Sequence, residues 1–540
     1  MNLITIALAT AATTGRVLLL ILLSIVTGWF LGYLAVKNRS FENTFVPLID
    51  ILESIPVLGF LPVVLVIFIT GIGGPLGVEI AADFLVFDAI VWNIWIGIYQ
   101  AYKTMRVDLI EVTDNYNLGF LKRMRYLYIP YSIPRIAANL FPSFADAFFY
   151  ITVSEVFAVG VHTYQTFGIG TLIANFIASE NLVAVYYSLA FLAVAVVGVT
   201  LIFREFAGWS VARYGLDTPA PIRRRGRFVN RPTYLVRQVI STPMKRISRY
   251  ASRIAPRAQP RRQETVEPSR TPRAIRYIVI AVIIMILLTL AYYSFKVAVS
   301  VTPATYLHYI SLTPYILYSM AVDYLRVALI TLLSLAIAVF LGYYLATHHR
   351  VGTSTIPLIQ TISAFPAPAY FPLIFAATVV FLNVHIPFIT TELYVFTLGF
   401  LSTFYYVFFG FIIGVQSIPT EFWEIMENHG LGFFTKMRRV ILPATFPYLI
   451  TGLSSTINSA WGGLMVGEYW PNIYGHYSLI VGTGMMKLLD VSIASGQIGF
   501  AAWISIIFAV VVAVYGIYFT RKMMDLANKK YVIEEGLYAA

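Results

Sequence analysis

Apolar residues along this chain gather in unbroken runs, such as Val17–Leu34, Ala184–Phe203, Ile278–Ala291 and Phe500–Val514. A membrane β-barrel would instead alternate apolar and polar positions in strands of about ten residues. The runs therefore predict helices, most of them close to the roughly 20 residues that cross a bilayer. Spans are expected near 15–36, 55–74, 84–102, 135–158 and 184–206, then near 325–346, 362–382, 388–414, 447–468 and 497–519. Tyr277–Tyr293 supplies one more. The fold class this implies is an all-α polytopic membrane protein of about eleven transmembrane helices. Met1–Ala35 lacks a basic leading region and its apolar run is too long for a cleaved signal peptide.

The spans fall into two copies of one pattern, the mark of a duplication. At an offset of 310, Arg16-Val17 matches Arg326-Val327, Ser24 matches Ser334, and Phe30-Leu31-Gly32-Tyr33 matches Phe340-Leu341-Gly342-Tyr343. Pro47, Pro56 and Pro62 match Pro357, Pro366 and Pro372. At an offset of 313, Leu118-Gly119-Phe120 matches Leu431-Gly432-Phe433, Met124-Arg125 matches Met437-Arg438, and Glu155 matches Glu468. The boundaries that follow are a first repeat over 1–206, a linker over 207–274 and a connecting helix over 275–297. An extracytoplasmic segment over 298–324, a second repeat over 325–522 and a tail over 523–540 complete the chain.

Five spans per copy is odd, so directly joined copies would be inverted relative to each other. The extra span restores a parallel arrangement, with the N-terminus outside and the linker and C-terminus in the cytoplasm. Charge agrees with this, because cytoplasmic loops collect Lys and Arg. The net charge is +12, and between Arg213 and Arg276 seventeen Arg and Lys face only Asp217, Glu264 and Glu267, a surplus of +14. That Pro- and Arg-rich linker reads as a disordered or loosely amphipathic segment, not a nucleic-acid-binding fold, which lies against anionic headgroups or else serves a specific partner. The expected outer loops hold only Lys296 and Lys487.

Composition narrows the chemistry. The chain is 59% hydrophobic and 12% charged, against roughly 25% charged in soluble domains, so lipid is its main solvent. With no cysteine there is no disulfide, thiolate metal site or Cys nucleophile, and no metal site is expected. The Gly-x4-Gly-Lys-Ser/Thr phosphate loop is absent, as are His-Glu-x2-His and Gly-x-Ser-x-Gly. This chain is not expected to be an enzyme, and the energy must come from another chain or from an ion gradient.

Between the third and fourth spans of each copy lies a cytoplasmic segment of common build, over 107–130 and 420–443. Acids open it, a Gly-containing turn interrupts it, basic residues follow, and Pro closes it before the next span. Acids suit a helix N-terminus and bases a C-terminus, so each segment predicts two short helices under the membrane. Glu424, Gly430, Gly432, Arg438 and Leu442-Pro443 mark the second segment. Glu111, Asn117, Gly119, Arg125 and Ile129-Pro130 mark the first, where Asn117 stands in the place of the first Gly. These segments resemble the EAA loop of binding-protein-dependent ABC importer permeases, although neither carries the two alanines. The Arg-Val opening, the paired prolines of the second span and the Glu-Tyr-Trp region most resemble the nitrate, sulfonate and taurine group. The resemblance implies that both loops dock on two copies of a partner ATPase, which hold the ATP and Mg. It also implies an extracytoplasmic binding protein that delivers a small anion.

Candidate pathway residues come from matched positions. Glu155 and Glu468 end the fourth spans, where an ionisable group at membrane depth is costly and so functional by default, or else a carboxylate hydrogen-bonded to nearby backbone. Arg16 and Arg326 open the first spans, either attracting an anion or snorkelling to the interface. Gly168, Gly170, Gly482 and Gly484 are expected to start half-helices whose amides face the path. Trp461, Trp470, Phe149 and Tyr150 are further candidates, or else packing. A secondary transporter with Glu155 and Glu468 as ion sites is the alternative, and a membrane scaffold a third.

Overall fold

A computed structural model describes residues 3–54, 57–60, 64–105, 107–116, 118–159, 162–214, 292, 302–515 and 522–523. Eight described helices are long and apolar enough to cross a membrane. In the first repeat α1 is Leu3–Lys37, α2 Arg39–Ser54, α3 Gly74–Lys103, α4 Val107–Asn115, α5 Ile129–Ser154, α6 Ile169–Ala178 and α7 Leu182–Tyr214. In the second, α8 is Pro303–Ile337, α9 His349–Ser363, α10 Ala367–His385, α11 Thr390–Gln416, α12 Thr420–Asn428, α13 Leu442–Glu468, α14 Met485–Ala494 and α15 Ile498–Tyr515. The strands among the described residues form two short antiparallel hairpins, β1 (Val156–Val159) with β2 (His162–Gln165) and β3 (Tyr469–Tyr474) with β4 (Tyr477–Ile480).

The duplication extends to what faces lipid and what faces protein. On α1, Leu19, Leu22, Leu23 and Phe30 are exposed, and so are their matches on α8 and just beyond it, Leu329, Leu332, Leu333 and Phe340. Val17, Leu20 and Ser24 are buried, as are Val327, Ile330 and Ser334. The buried hydroxyls return to their own helices: Ser24 donates to the Leu20 carbonyl at 2.9 Å and Ser334 to that of Ile330 at 2.7 Å. No water is present in the bilayer core to satisfy them otherwise.

Each repeat packs its first, third and fourth spans together, α1–α3–α5 and α8–α11–α13. Glycine brings α11 and α13 into close contact: a Cβ on Gly463 would press on the Gly399 backbone, and one on Gly452 on the Val407 backbone. In lipid such small-residue contacts replace the hydrophobic drive for association. The repeats meet crosswise, with α2 against α15, α9 against α7, and α10 against α5 and α6.

Several expected boundaries move. The first spans begin at Leu3 and Pro303, not near 15 and 325. Much of segment 298–324 is therefore helix, started by Thr302, whose hydroxyl accepts from the Thr305 amide at 3.3 Å, and by Pro303 in the first turn. The first eight residues of the expected linker complete α7. The second span of the first repeat shows a tight turn at Val57–Phe60 and a wide helical turn at Leu65–Ile72 among its described residues, where the second repeat has the continuous α10. The rest of the linker and nearly all of Tyr277–Tyr293 lie outside the described residues.

Candidate functional site

At one end of the bundle the two loops take the same shape. Helix α4 ends with the Leu118 amide donating to the Thr113 carbonyl at 3.1 Å, and α12 with Leu431 donating to Met426 at 3.1 Å. This is the six-to-one bond of a Schellman ending. Gly430 supplies the left-handed residue it needs, at φ 59°. Asn117, its counterpart, lies outside the described residues. After Gly119 and Gly432 a short helix leads into a wide turn, Met124–Tyr128 and Met437–Ile441. There the Ile129 and Leu442 amides reach back to the Met124 and Met437 carbonyls. A proline next in line has no N–H and crowds the carbonyl four residues before it; the wider turn absorbs both defects at Pro130 and Pro443.

Glu111, Glu424, Arg125 and Arg438 are exposed. Large apolar side chains project beside them at matched positions, Val112 with Ile425 and Leu121 with Phe434, the last pair 76% and 78% exposed. Apolar side chains this exposed are open to contact with lipid or with another protein. In the first loop buried Arg123 stiffens the turn, donating to the Leu118 carbonyl at 2.6 Å and pairing with Asp114. Its match, Lys436, has no such bond among those described.

The repeated Phe-Leu-Gly-Tyr motif acquires a purpose here. The Phe120 ring lies 5.1 Å from that of Tyr33 and 6.5 Å from that of Phe30. The Phe433 ring lies 5.5 Å from that of Tyr343 and 6.1 Å from that of Phe340. Each loop is thus clasped by aromatic contact to the first span of its repeat. Phe120 and Phe433 were visible in the sequence only as repeat markers; a matched aromatic directly after a loop glycine was the available signal.

At the other end, Arg16 and Arg326 each gather three carboxylates, Arg16 from α3 and the end of α5, Arg326 from α8, α11 and α13. Arg16 pairs with Glu79 at 2.6 Å, Asp83 at 3.2 Å and Glu155 at 3.2 Å. Arg326 pairs with Glu392 at 2.6 Å, Asp323 at 2.8 Å and Glu468 at 2.9 Å. Glu155 and Glu468 have no exposed surface. Both cap the short helix after the hairpin: the Gly170 amide donates to Glu155 at 2.6 Å and the Lys487 amide to Glu468 at 3.0 Å. The Ile169 amide is held by Thr13, and those of Met485 and Met486 by Asp323. A carboxylate belongs at the positive end of a helix.

Of the four glycines expected to turn amides to a path, Gly170 thus directs its amide to a carboxylate, and Arg16 and Arg326 are engaged by carboxylates of their own repeats. Gly168 and Gly484 do begin α6 and α14, because the carboxylate lies where their side chain would be. Gly482 is exposed, and its carbonyl takes a 3.1 Å bond from Lys487, which also reaches Val481 at 2.6 Å. Trp461 is buried against Tyr324 and Phe508, both 4.9 Å away between ring centres, so it packs the wall. Gly170 and Trp470 border a cavity of ≈ 470 Å³ between the repeats at the hairpin end.

The family described as "Binding-protein-dependent transport system inner membrane component" matches this chain twice, over residues 24–215 and 334–531. Those two stretches differ by the 310-residue offset at their starts. Similar curated relatives include the "Nitrate import permease protein NrtB" of Synechococcus elongatus, 23% identical over 143 residues, and that of Leptolyngbya laminosa, 24% identical over 143 residues. Each alignment covers 26% of this chain and 48% of the relative, so the chain spans about half the length of the curated relatives it matches.

Proposed function

Because this chain belongs to the family of binding-protein-dependent transport system inner membrane components, we propose that it carries both permease halves of an ATP-driven importer in one polypeptide. Two ATPase subunits on separate chains would supply the energy, and an extracytoplasmic binding protein the solute. The observation that carries this reading is the pair of matched loops at one end of the bundle, each with an exposed apolar face and each clasped to a first span. One such knob would be a surface loop; two in equivalent places suit a pair of identical motors that close together.

The geometry supports a transmission path. The loops run through their wide turns directly into α5 and α13. At the far end the Arg16 and Arg326 clamps tie the fourth span to the first and third spans and to the short helix, so each half moves as a unit. Closing the loops on the cytoplasmic side would then splay the halves at the hairpin end, taken as the outer face. Glu155 and Glu468, the ion sites that the alternative names, are held by arginine and helix amides, which weighs against their use as ion sites. The small anion implied by resemblance rests on the relatives' printed names, and no cationic side chain lines the two interface cavities described.

Deleting the Glu424–Gly432 turn tests the reading. Membrane insertion should be unaffected, while stimulation of ATPase activity in a reconstituted complex with the binding protein should be lost. Coupling that survives the deletion would refute it.

A further inference from the structure

A second, smaller cavity of ≈ 60 Å³ lies between the repeats, one to two helical turns further from the hairpins on α3, α5 and α13. Its lining is acidic and polar: Glu53, Asn93 and Asp146 from the first repeat, Tyr406, Ser455 and Asn458 from the second. Asp146 is buried. It accepts from the Tyr406 hydroxyl across the interface and from the Asn93 amide at 3.4 Å, a long bond. Among the described residues, no cationic side chain lines this cavity. The one cation of α5, Arg135, stands eleven residues away, about 16 Å along the helix.

The duplication separates scaffold from specificity here. Wall features such as Arg16 and Arg326, or Glu155 and Glu468, recur in both copies because both copies need them. The cavity residues do not recur: Asp146 matches Ser459, Asn93 matches Tyr406, and Glu53 matches Ser363. A carboxylate at membrane depth with only a hydroxyl and a distant amide for partners costs several kcal/mol. Asp88 adds to the acidity: it is buried on α3 one turn before Asn93's neighbour Trp92, and one of its carboxylate oxygens has no hydrogen-bond partner. A cation or a cluster of N–H donors entering between α5 and α13 would offset this cost, whereas an anion would increase it.

We propose that this interface cavity is the selective waist of the pathway and that it passes solutes bearing a positive charge or an amino group, not anions. The proposal rests on the permease reading for the direction and energy of transport, but its charge selectivity is a property of this chain alone. Its volume suits an ammonium or amino head, about the space of two water molecules at roughly 30 Å³ each. The remainder of such a solute fits the ≈ 470 Å³ cavity nearer the hairpins.

The chain has no cysteine, so Ser455→Cys places a single reporter thiol in the cavity, with Asn458→Cys as a second position should the first fold poorly. The full-length variant, with its ATPase partners and ATP, is exposed to 2-(trimethylammonio)ethyl or 2-sulfonatoethyl methanethiosulfonate, and modification rates are normalised to those of free cysteine. The cationic reagent should be favoured about tenfold or more, the order that 1.4 kcal/mol of attraction gives. Asp146→Asn should abolish most of that preference. A ratio near or below one, a ratio indifferent to Asp146→Asn, or a thiol that neither reagent reaches at either position would each overturn the proposal. ATPase stimulation by the binding protein is read on the parental, cysteine-free protein assembled with the same partners. Loss of stimulation with intact charge preference refutes the permease reading and still supports the cation-selective cavity.

Discussion

Arg326 and Arg16 occupy equivalent positions, yet they answer to different neighbours. Arg326 neutralises two carboxylates with no exposed surface, Asp323 and Glu468. In the first repeat Thr13 replaces Asp323, and only Glu155 is fully buried; Glu79 and Asp83 are 39% and 36% exposed. Removing one partner of a buried pair costs about 3–5 kcal/mol because the other charge is stranded. Arg326→Met should therefore lower the thermal unfolding midpoint in detergent by that order of stability, and Arg16→Met by clearly less. Equal losses, or a larger one at Arg16, would contradict this account of the clamps. Both arginines and both glutamates stood out in the sequence as charges in apolar surroundings. That they meet was not legible, since the partners are separated by 139 and 142 residues.

At the scale of elements, the two matched loops were the most legible part of the chain. Acids, a glycine turn, bases and a proline dictate two short helices and a junction, each through local backbone chemistry. What locality does not reveal is the aromatic clasp to the first span. Phe120 is buried and Phe433 is 37% exposed, which separates stability from transmission. Phe120→Ala should destabilise by about 3–5 kcal/mol, the usual cost of emptying a buried phenylalanine site. Phe433→Ala should leave the unfolding midpoint nearly unchanged and still depress binding-protein-stimulated ATPase activity. Stimulation at the parental level in folded Phe433→Ala would show that the clasp transmits nothing. Gly430→Val forces a β-branched residue to φ 59°, a strain of about 1–2 kcal/mol, and should weaken coupling in the same assay.

For the whole molecule, the orientation of the two halves is the decisive quantity, and the missing cysteines make it measurable. Leu121→Cys and Phe434→Cys should react with a membrane-impermeant maleimide only from the cytoplasmic side. Asn472→Cys, exposed in the hairpin of the second repeat, should react only from outside. Labelling of Leu121→Cys and Phe434→Cys from opposite sides would make the halves antiparallel and dismantle the coupling scheme.

Periodicity, apolar run length and the 310-residue echo were sufficient by themselves to determine a duplicated, helical membrane protein with one acid-Gly-basic-Pro loop per copy. Those properties are written locally, in backbone preference and in transfer from water to lipid, and so they survive reading one residue at a time. The tertiary structure alone decided which charges neutralise one another, which aromatics hold the loops, and which carboxylates remain at the seam between copies. In lipid every buried polar group must find a partner, and the partner is chosen by which helices pack together. That choice turned Glu155 and Glu468 into parts of the wall and left Asp146, a residue the sequence does not single out, facing the cavity between the two halves.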